Sequence, residues 1–142
     1  MIQQPVRAWF LLLPVLTSCA LLKKPPRPVY APEEEAAKVE FPLAASEDAV
    51  ALDGVTLRAI NLALEDFLPW DREPPRGTPP GDVCFYQRDS YDFMAWRGKE
   101  GVVFVSIYLR PETCDHSPSP LLDVGARYAI DTQGWRILAG QR

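Results

Sequence analysis

The prolines constrain this chain more than any other feature of its sequence. There are 15 of them, about twice the share of an average protein, and ten of them cluster in residues 25–42 and 69–80. Because proline fixes φ and lacks the N–H that helices and sheets use, both stretches should be extended and irregular. Most regular structure is therefore expected in the segment between the two clusters and in the residues after the second one.

Length and charge limit the class of protein. The 142 residues allow one domain with appendages, and a hydrophobic fraction of 47% is ordinary for a globular chain. The formal net charge of -4 gives no general basic surface for nucleic acid. We therefore expect a small globular domain that does not bind nucleic acid.

The N-terminus has the layout of an export signal. An apolar run over residues 8–16 follows one basic residue, and it is shorter than the roughly 20 residues that cross a bilayer core. The letters LTSC, which end in Cys19, resemble the lipobox of bacterial lipoproteins. The resemblance implies that residues 1–18 are a signal peptide and that Cys19 carries diacylglycerol and a further acyl chain such as palmitate. Ala20, in place of an aspartate, resembles the lipoproteins sent to the outer membrane.

A lipid-bearing Cys19 makes membrane lipid a partner, and two or more acyl chains anchor a protein stably. Residues 19–46 then form a proline-rich tether with a short helical turn near residues 33–39, and residues 47–142 form the folded domain. Two alternatives stay open: a core cysteine in an N-terminal helix, which the proline within the apolar run disfavours, and a cleaved signal without lipid. The expected location is the cell envelope, on the periplasmic or surface-exposed side of the outer membrane.

One helix is predicted between the proline clusters. Asp53 can cap its start and Pro69 ends it. Apolar residues at steps of three and four form one stripe along it, which is typical of a helix that covers a core. The stripe consists of Leu57, Ile60, Leu64, Phe67 and Leu68.

The second half of the chain predicts β structure, since its segments alternate or are rich in β-branched and aromatic residues. The predicted strands are VCFYQ (83–87), SYDFMAWR (90–97), VVFVSIYLR (102–110), GARYAID (125–131) and WRIL (135–138). One helix followed by an antiparallel meander is an α+β pattern. We expect one long amphipathic helix packed on a curved antiparallel sheet of about four strands.

The longest predicted strand has two different faces. Val103, Val105, Ile107 and Leu109 should face the core. The opposite face is mixed aromatic and basic, and a half-open face of this type often binds a partner. We call it the open face and define it by Trp96, Phe104, Tyr108 and Arg127. The alternative is that the proline-rich loops or a second protomer cover it.

The ending DVGARYAIDTQGWRIL resembles a hairpin of small cystatin-like and nuclear-transport-factor-like α+β domains, which include immunity-type proteins. The resemblance covers residues 50–140 and implies a cystatin-like fold. The chain lacks the QxVxG loop of cysteine-protease inhibitors, so the resemblance implies no protease inhibition.

Two cysteines remain once lipid takes Cys19. Because an exported protein meets an oxidising compartment, Cys84 and Cys114 are expected to form a disulfide. A metal or Cys–His site at Cys114, Asp115 and His116 is the rival interpretation. Zinc usually needs four spaced ligands, whereas the sequence has one histidine in a proline-flanked loop. We expect no metal and no cofactor, with His116 in solvent.

The sequence carries no motif for catalysis: it has no Gly-rich phosphate loop, serine elbow or CxxC pair. Acidic residues at the predicted helix end, among them Asp66, are expected to cap the helix or to lie in the solvated loop that follows it. We therefore expect a non-catalytic binding or accessory module of the cell envelope whose partner is an unidentified envelope protein or ligand. The alternatives are an immunity-type protein that neutralises a toxin, by fold analogy, and a small enzyme with a deep pocket.

Overall fold

The structure is a computed structural model that describes residues 24–114 and 124–142. Over these residues the chain is a mixed α/β domain with few helices and an open four-stranded antiparallel sheet. The helices are α1 (Glu33–Ala36) and α2 (Gly54–Phe67), with 3-10 helices at Pro80–Tyr86 and Arg88–Ser90, and the strands are β1 (Tyr91–Arg97), β2 (Val102–Leu109), β3 (Gly125–Asp131) and β4 (Arg136–Gln141). Cys19, Asp115 and His116 lie outside the described residues. The predictions of lipid attachment at Cys19 and of a solvent-exposed His116, and the rival metal site that would include Asp115 and His116, therefore stay predictions.

The segment before α2 has little regular structure, as its proline content predicts. Every residue from 24 to 52 is exposed. Its one helical element is α1, a four-residue turn that begins after Pro32 and has no buried residue. This turn falls within the stretch where the sequence predicts one.

The start of α2 is held by the predicted cap. The Asp53 carboxylate accepts hydrogen bonds from the backbone N–H groups of Val55, at 3.0 Å, and Thr56, at 3.1 Å. The Thr56 hydroxyl donates a third one, at 2.6 Å. These bonds satisfy N–H groups that have no partner within the helix. At the other end Leu68 is the C-cap residue of α2, and Pro69 follows it, as expected.

The face that α2 turns to the sheet is centred on small residues, and the predicted stripe lies beside that centre. Its buried residues are Thr56, Ala59 and Ala63, while Leu57 is 47% exposed. Small side chains let the helix backbone approach the sheet closely, so the larger Ile60, Leu64 and Phe67 pack at the flanks of the contact. The prediction that Leu57 belongs to the core is therefore wrong, whereas Leu68, at 5% exposure, is buried as predicted.

The predicted strand at residues 83–87 is also wrong. The chain there forms the 3-10 helix Pro80–Tyr86, with a proline in its first turn. A proline is pre-organised for that position and cannot donate to a sheet. The carbonyl of Phe85 accepts a 2.9 Å hydrogen bond from the Tyr91 hydroxyl, which fixes this helix against the first strand.

The sheet runs in chain order, β1-β2-β3-β4, and all its neighbours are antiparallel. Its inner face packs on α2, and the shared core contains Val103, Val105, Ile107, Tyr128 and Ile130 together with the two helix alanines. Three of the four predicted core residues of β2 are thus buried, and Leu109 packs against the same cluster while partly exposed.

A disulfide joins Cys84 to Cys114, as predicted, with their Cα atoms 5.6 Å apart. Both residues are buried, at 8% and 6% exposure. The bridge links the Pro80–Tyr86 helix to the residues just after β2, across a sequence separation of 30.

Candidate functional site

The four residues of the open face lie on one side of the sheet, opposite α2. In the strand register Trp96 faces Phe104 across β1 and β2. Arg127 faces Ser106 across β2 and β3. Since side chains alternate between the faces of a strand, the burial of Val103, Val105 and Ile107 leaves Phe104 and Tyr108 outward. The structure therefore brings together the residues that the sequence grouped.

The aromatic end of the open face is a stacked pair. The rings of Trp96 and Phe104 have centroids 5.5 Å apart and an interplanar angle of 25°. They remain 47% and 36% exposed. Phe104 also covers Gly98, where an added Cβ would lie 2.6 Å from the ring. The strand register and the close packing of Phe104 on Gly98 therefore hold the pair in place.

The basic residue of the open face has no acidic partner. The guanidinium of Arg127 is exposed and makes no ion pair or hydrogen bond with the residues that the structure describes. Every other arginine within a strand or directly after one is paired with a carboxylate, and so is Arg88 in the 3-10 helix before β1. These pairs are Arg88–Glu65, Arg97–Asp53, Arg110–Asp92, Arg136–Asp131 and Arg142–Asp66. Two of the acids in these pairs, Asp92 and Asp131, share the open side of the sheet, and each is neutralised by its own arginine.

A groove runs across the open face beside Arg127. It consists of two open depressions with volumes of about 290 and about 210 Å³, and both are lined by Arg127 and Gln141. Tyr108 lines the first and the Trp96–Phe104 pair lines the second. The rest of the lining mixes small or polar residues, among them Ser106, Gly125, Ala129 and Ala139, with larger apolar or aromatic ones such as Ile107, Val124 and Tyr128.

The groove is suited to bind an anionic group between apolar surfaces. No aspartate or glutamate of the described chain lines either depression. The groove therefore offers a cationic hydrogen-bond donor and aromatic surface, but no carboxylate to act as an acid or a base.

Part of the groove was not predicted from the sequence. The last strand was expected at residues 135–138, whereas β4 covers Arg136–Gln141 and brings Ala139 and Gln141 to the groove. A bulge between Ala129 and Ile130 shifts the register of this pairing. Trp135, the predicted first residue of the strand, lies in the turn with φ 51°, and the Arg58 guanidinium stacks 3.9 Å above its ring. The sequence gives only a weak signal that the strand continues to Gln141, because glycine is unfavourable within a strand and Gly140 lies between Ala139 and Gln141.

Asp66, which was expected to cap or solvate, instead ties three elements together. Its carboxylate accepts hydrogen bonds from the Tyr128 hydroxyl, at 2.8 Å, and from Arg142, at 2.6 Å. The Tyr128 bond and then Arg142 lower the pKa of Asp66, because both favour the charged form. Burial raises the pKa of Tyr128. The contact fixes Arg142, which lines one end of the groove.

Two further features concern the described residues as a whole. They contain no group of three His, Cys, Asp or Glu side chains placed to hold a metal ion. Among them no helix has the length and apolar character needed to span a membrane.

The chain was compared with known families, with curated proteins and with solved structures. None of these comparisons gives a match.

Proposed function

We propose that the protein is a lipid-anchored binding module of the cell envelope that uses its open face to capture a partner and has no catalytic activity of its own. One observation carries the proposal: an exposed stack of Trp96 and Phe104 lies beside the Arg127 guanidinium, which has no acidic partner among the residues that the structure describes. Tryptophan, tyrosine and arginine are the residues that most often dominate binding energy at protein interfaces. The open face contains all three.

The free energy that is lost by leaving these side chains exposed supports a binding role for them. Exposed aromatic surface forgoes about 25 cal/mol for each Å² that could be buried. All residues of the described tether, 24–52, are exposed, and none of them lines either depression of the open face. A partner that covers the aromatic pair would recover that free energy, and a carboxylate or another anion on it would satisfy Arg127.

The anchor and the fold complete the proposal. The lipobox resemblance supports attachment through Cys19, and about 25 residues of proline-rich chain reach on the order of 60–70 Å from a membrane. A tether of this reach lets the domain meet partners on another envelope component. A single helix against an antiparallel sheet is consistent with a cystatin-like domain, which we propose as the fold type.

The test is photo-crosslinking in intact cells, with a benzophenone amino acid at Tyr108. We expect a discrete adduct that is lost in the double variant Trp96→Ala and Phe104→Ala. The matched control is Leu57→Ala, because Leu57 is as exposed as Trp96 (both 47%) but lies on α2. Persistence of the adduct in the double variant, with the domain folded, would overturn the proposal.

A second arm tests the anchor. Cys19→Ser should move the protein from the membrane fraction to the soluble envelope fraction and abolish labelling with a clickable palmitate analogue. Unchanged fractionation and labelling of the Cys19→Ser chain would contradict lipid attachment at this residue.

A further inference from the structure

The spacing of groups along the open face is regular. Phe104, Ser106 and Tyr108 follow one another on the outward side of β2, and Arg127 lies opposite the middle one. With a rise of about 3.3 Å per residue, the two aromatic positions lie about 7 Å to either side of the Arg127 row. The face therefore presents two apolar surfaces about 13 Å apart along β2, with a cation level with their midpoint on the neighbouring strand β3.

The charge of the groove is opposite to that of the chain. The chain has a formal net charge of -4, yet the groove is lined by Arg127 and Arg142 and, in the described residues, by no carboxylate. Arg142 is committed to Asp66 at 2.6 Å. The groove thus has one cation available, at its centre, and it complements a ligand with one central negative charge.

An extended peptide has the matching repeat. Its side chains at positions i and i+2 point to the same side and lie about 7 Å apart. We infer that the open face binds an extended acidic peptide segment of a partner protein, with Asp or Glu two residues from an apolar residue on each side. The carboxylate lies on Arg127, one apolar side chain packs on the Trp96–Phe104 pair, and the other packs on Tyr108. This inference rests on the proposed binding function and specifies its partner.

The tether of this chain does not carry that pattern, although it is acidic. Glu40 has Lys38 and Pro42 two positions away, and Glu34 has Pro32 and Ala36. No acid of residues 24–52 has a large apolar residue at both of these positions. The tether therefore supplies a natural comparison peptide with the charge of the ligand but without its spacing.

The experiment measures fluorescence anisotropy of labelled peptides with the full-length chain in detergent micelles. The probe contains the core Leu-Ser-Glu-Ser-Leu. The comparison probes replace Glu by Gln, move Glu next to one Leu, or reproduce residues 32–44 of the tether. We expect the Glu probe to bind roughly 10- to 100-fold more tightly than the Gln probe, the range for a hydrogen bond to a charged group, and the other two to bind as weakly as the Gln probe.

Variants test the assigned contact. Arg127→Gln should remove the preference for Glu over Gln, and Arg127→Lys should retain part of it, because lysine keeps the charge but not the two-pronged geometry. Arg72→Gln is the control, since Arg72 is an exposed loop arginine without an ion pair in the described residues. Equal binding of the Glu and Gln probes to the unaltered chain, or an unchanged preference in Arg127→Gln, would overturn the inference.

Two further results separate this inference from the proposed function. Arg127-dependent binding to vesicles with anionic lipid, together with no binding of the Glu probe, would replace the peptide by a lipid headgroup and overturn the inference. A cellular adduct at Tyr108 that depends on the aromatic pair, without Glu-probe binding, would retain the binding function and reject the acidic peptide. Glu-probe binding without any cellular adduct would support the ligand chemistry and count against capture of a partner in the envelope.

Discussion

The Tyr128 hydroxyl donates a 2.8 Å hydrogen bond to the carboxylate of Asp66, which joins the middle of β3 to the last turn of α2. Tyr128 is 3% exposed, so its hydroxyl reaches this carboxylate from within the core. Arg142 binds the same carboxylate and also donates to the Asp66 carbonyl at 2.8 Å. The end of the helix, the sheet and the groove are therefore connected through one acidic residue.

Tyr128→Phe should lower the free energy of unfolding by about 1–2 kcal/mol, because it removes a hydrogen bond to a charged acceptor and leaves the ring in place. Tyr108→Phe is the matched control, since Tyr108 is 41% exposed and its hydroxyl has no partner among the described residues. Urea unfolding followed by circular dichroism measures both. Equal stability of the two variants would show that the Asp66 contact contributes nothing.

The disulfide should be a main source of stability. Closing a loop with a separation of 30 residues is worth about 3–4 kcal/mol in the chain-entropy description. Replacing Cys84 and Cys114 together by alanine should lower the free energy of unfolding by about that amount. Urea unfolding with and without a reducing agent gives the comparison.

The double-alanine chain is also the internal control for that experiment. A reducing agent should destabilise the unaltered chain and leave the variant unchanged. Two thiols that react with Ellman's reagent in the folded, unreduced protein would contradict the bridge.

Acid should weaken the start of α2. The hydrogen bond from the Thr56 hydroxyl, followed by that from the Thr56 backbone N–H, lowers the pKa of Asp53 from 3.8 to about 2. Because the folded-state pKa lies below the unfolded one, this carboxylate contributes its stability above about pH 4. That stability should be lost as the pH falls from about 4 to about 2.

Asp53→Asn tests this dependence, since asparagine still caps a helix but does not titrate. The melting temperature of the variant should fall less steeply between about pH 4 and pH 2 than that of the unaltered chain. Glu73→Gln, at an exposed loop acid, serves as the comparison and should keep the original slope. A parallel decline in all three proteins would refute the role of Asp53.

The helix and the central strands follow from local chemistry and could be predicted. Asp53 and Pro69 mark the helix ends because capping and proline sterics are local. Val103, Val105 and Ile107 face the core because alternation along a strand is local too. Local signals failed at residues 83–87, where a short apolar run fits both a strand and the 3-10 helix that forms.

The candidate site could be predicted only in part, because its geometry depends on register. The outward positions of Phe104 and Tyr108 follow from alternation. The position of Arg127 opposite Ser106 depends on how β2 and β3 align, and the pattern within one strand does not determine that alignment. The approach of Gln141 depends on the bulge after Ala129, for which the sequence has no distinct signal.

Two glycines should respond in opposite ways to alanine. A Cβ at Gly125 would collide with the carbonyl oxygen of Ile107, a backbone atom of the neighbouring strand. Gly125→Ala should therefore lower the free energy of unfolding by about 1–3 kcal/mol or more, as overpacking does. At Gly54 a Cβ meets nothing within 4 Å, so Gly54→Ala should leave stability unchanged or raise it by up to about 1 kcal/mol. Thermal unfolding of the two variants decides, and equal destabilisation would contradict the collision.

The inner face and the open face of the sheet should differ in their contributions to stability and to binding. Ile107 is 2% exposed, and Ile107→Ala should cost about 2–5 kcal/mol because it leaves a cavity against α2. Trp96 on β1 is 47% exposed, and Trp96→Ala should cost only about 0.5–1.5 kcal/mol, the worth of its ring pair with Phe104. Urea unfolding supplies both values, and the crosslinking yield from Tyr108 supplies the second comparison. Since Trp96 is assigned to binding, its variant should lose the adduct while it stays folded, and a loss of stability as large as that of Ile107→Ala would assign the aromatic pair to the core instead.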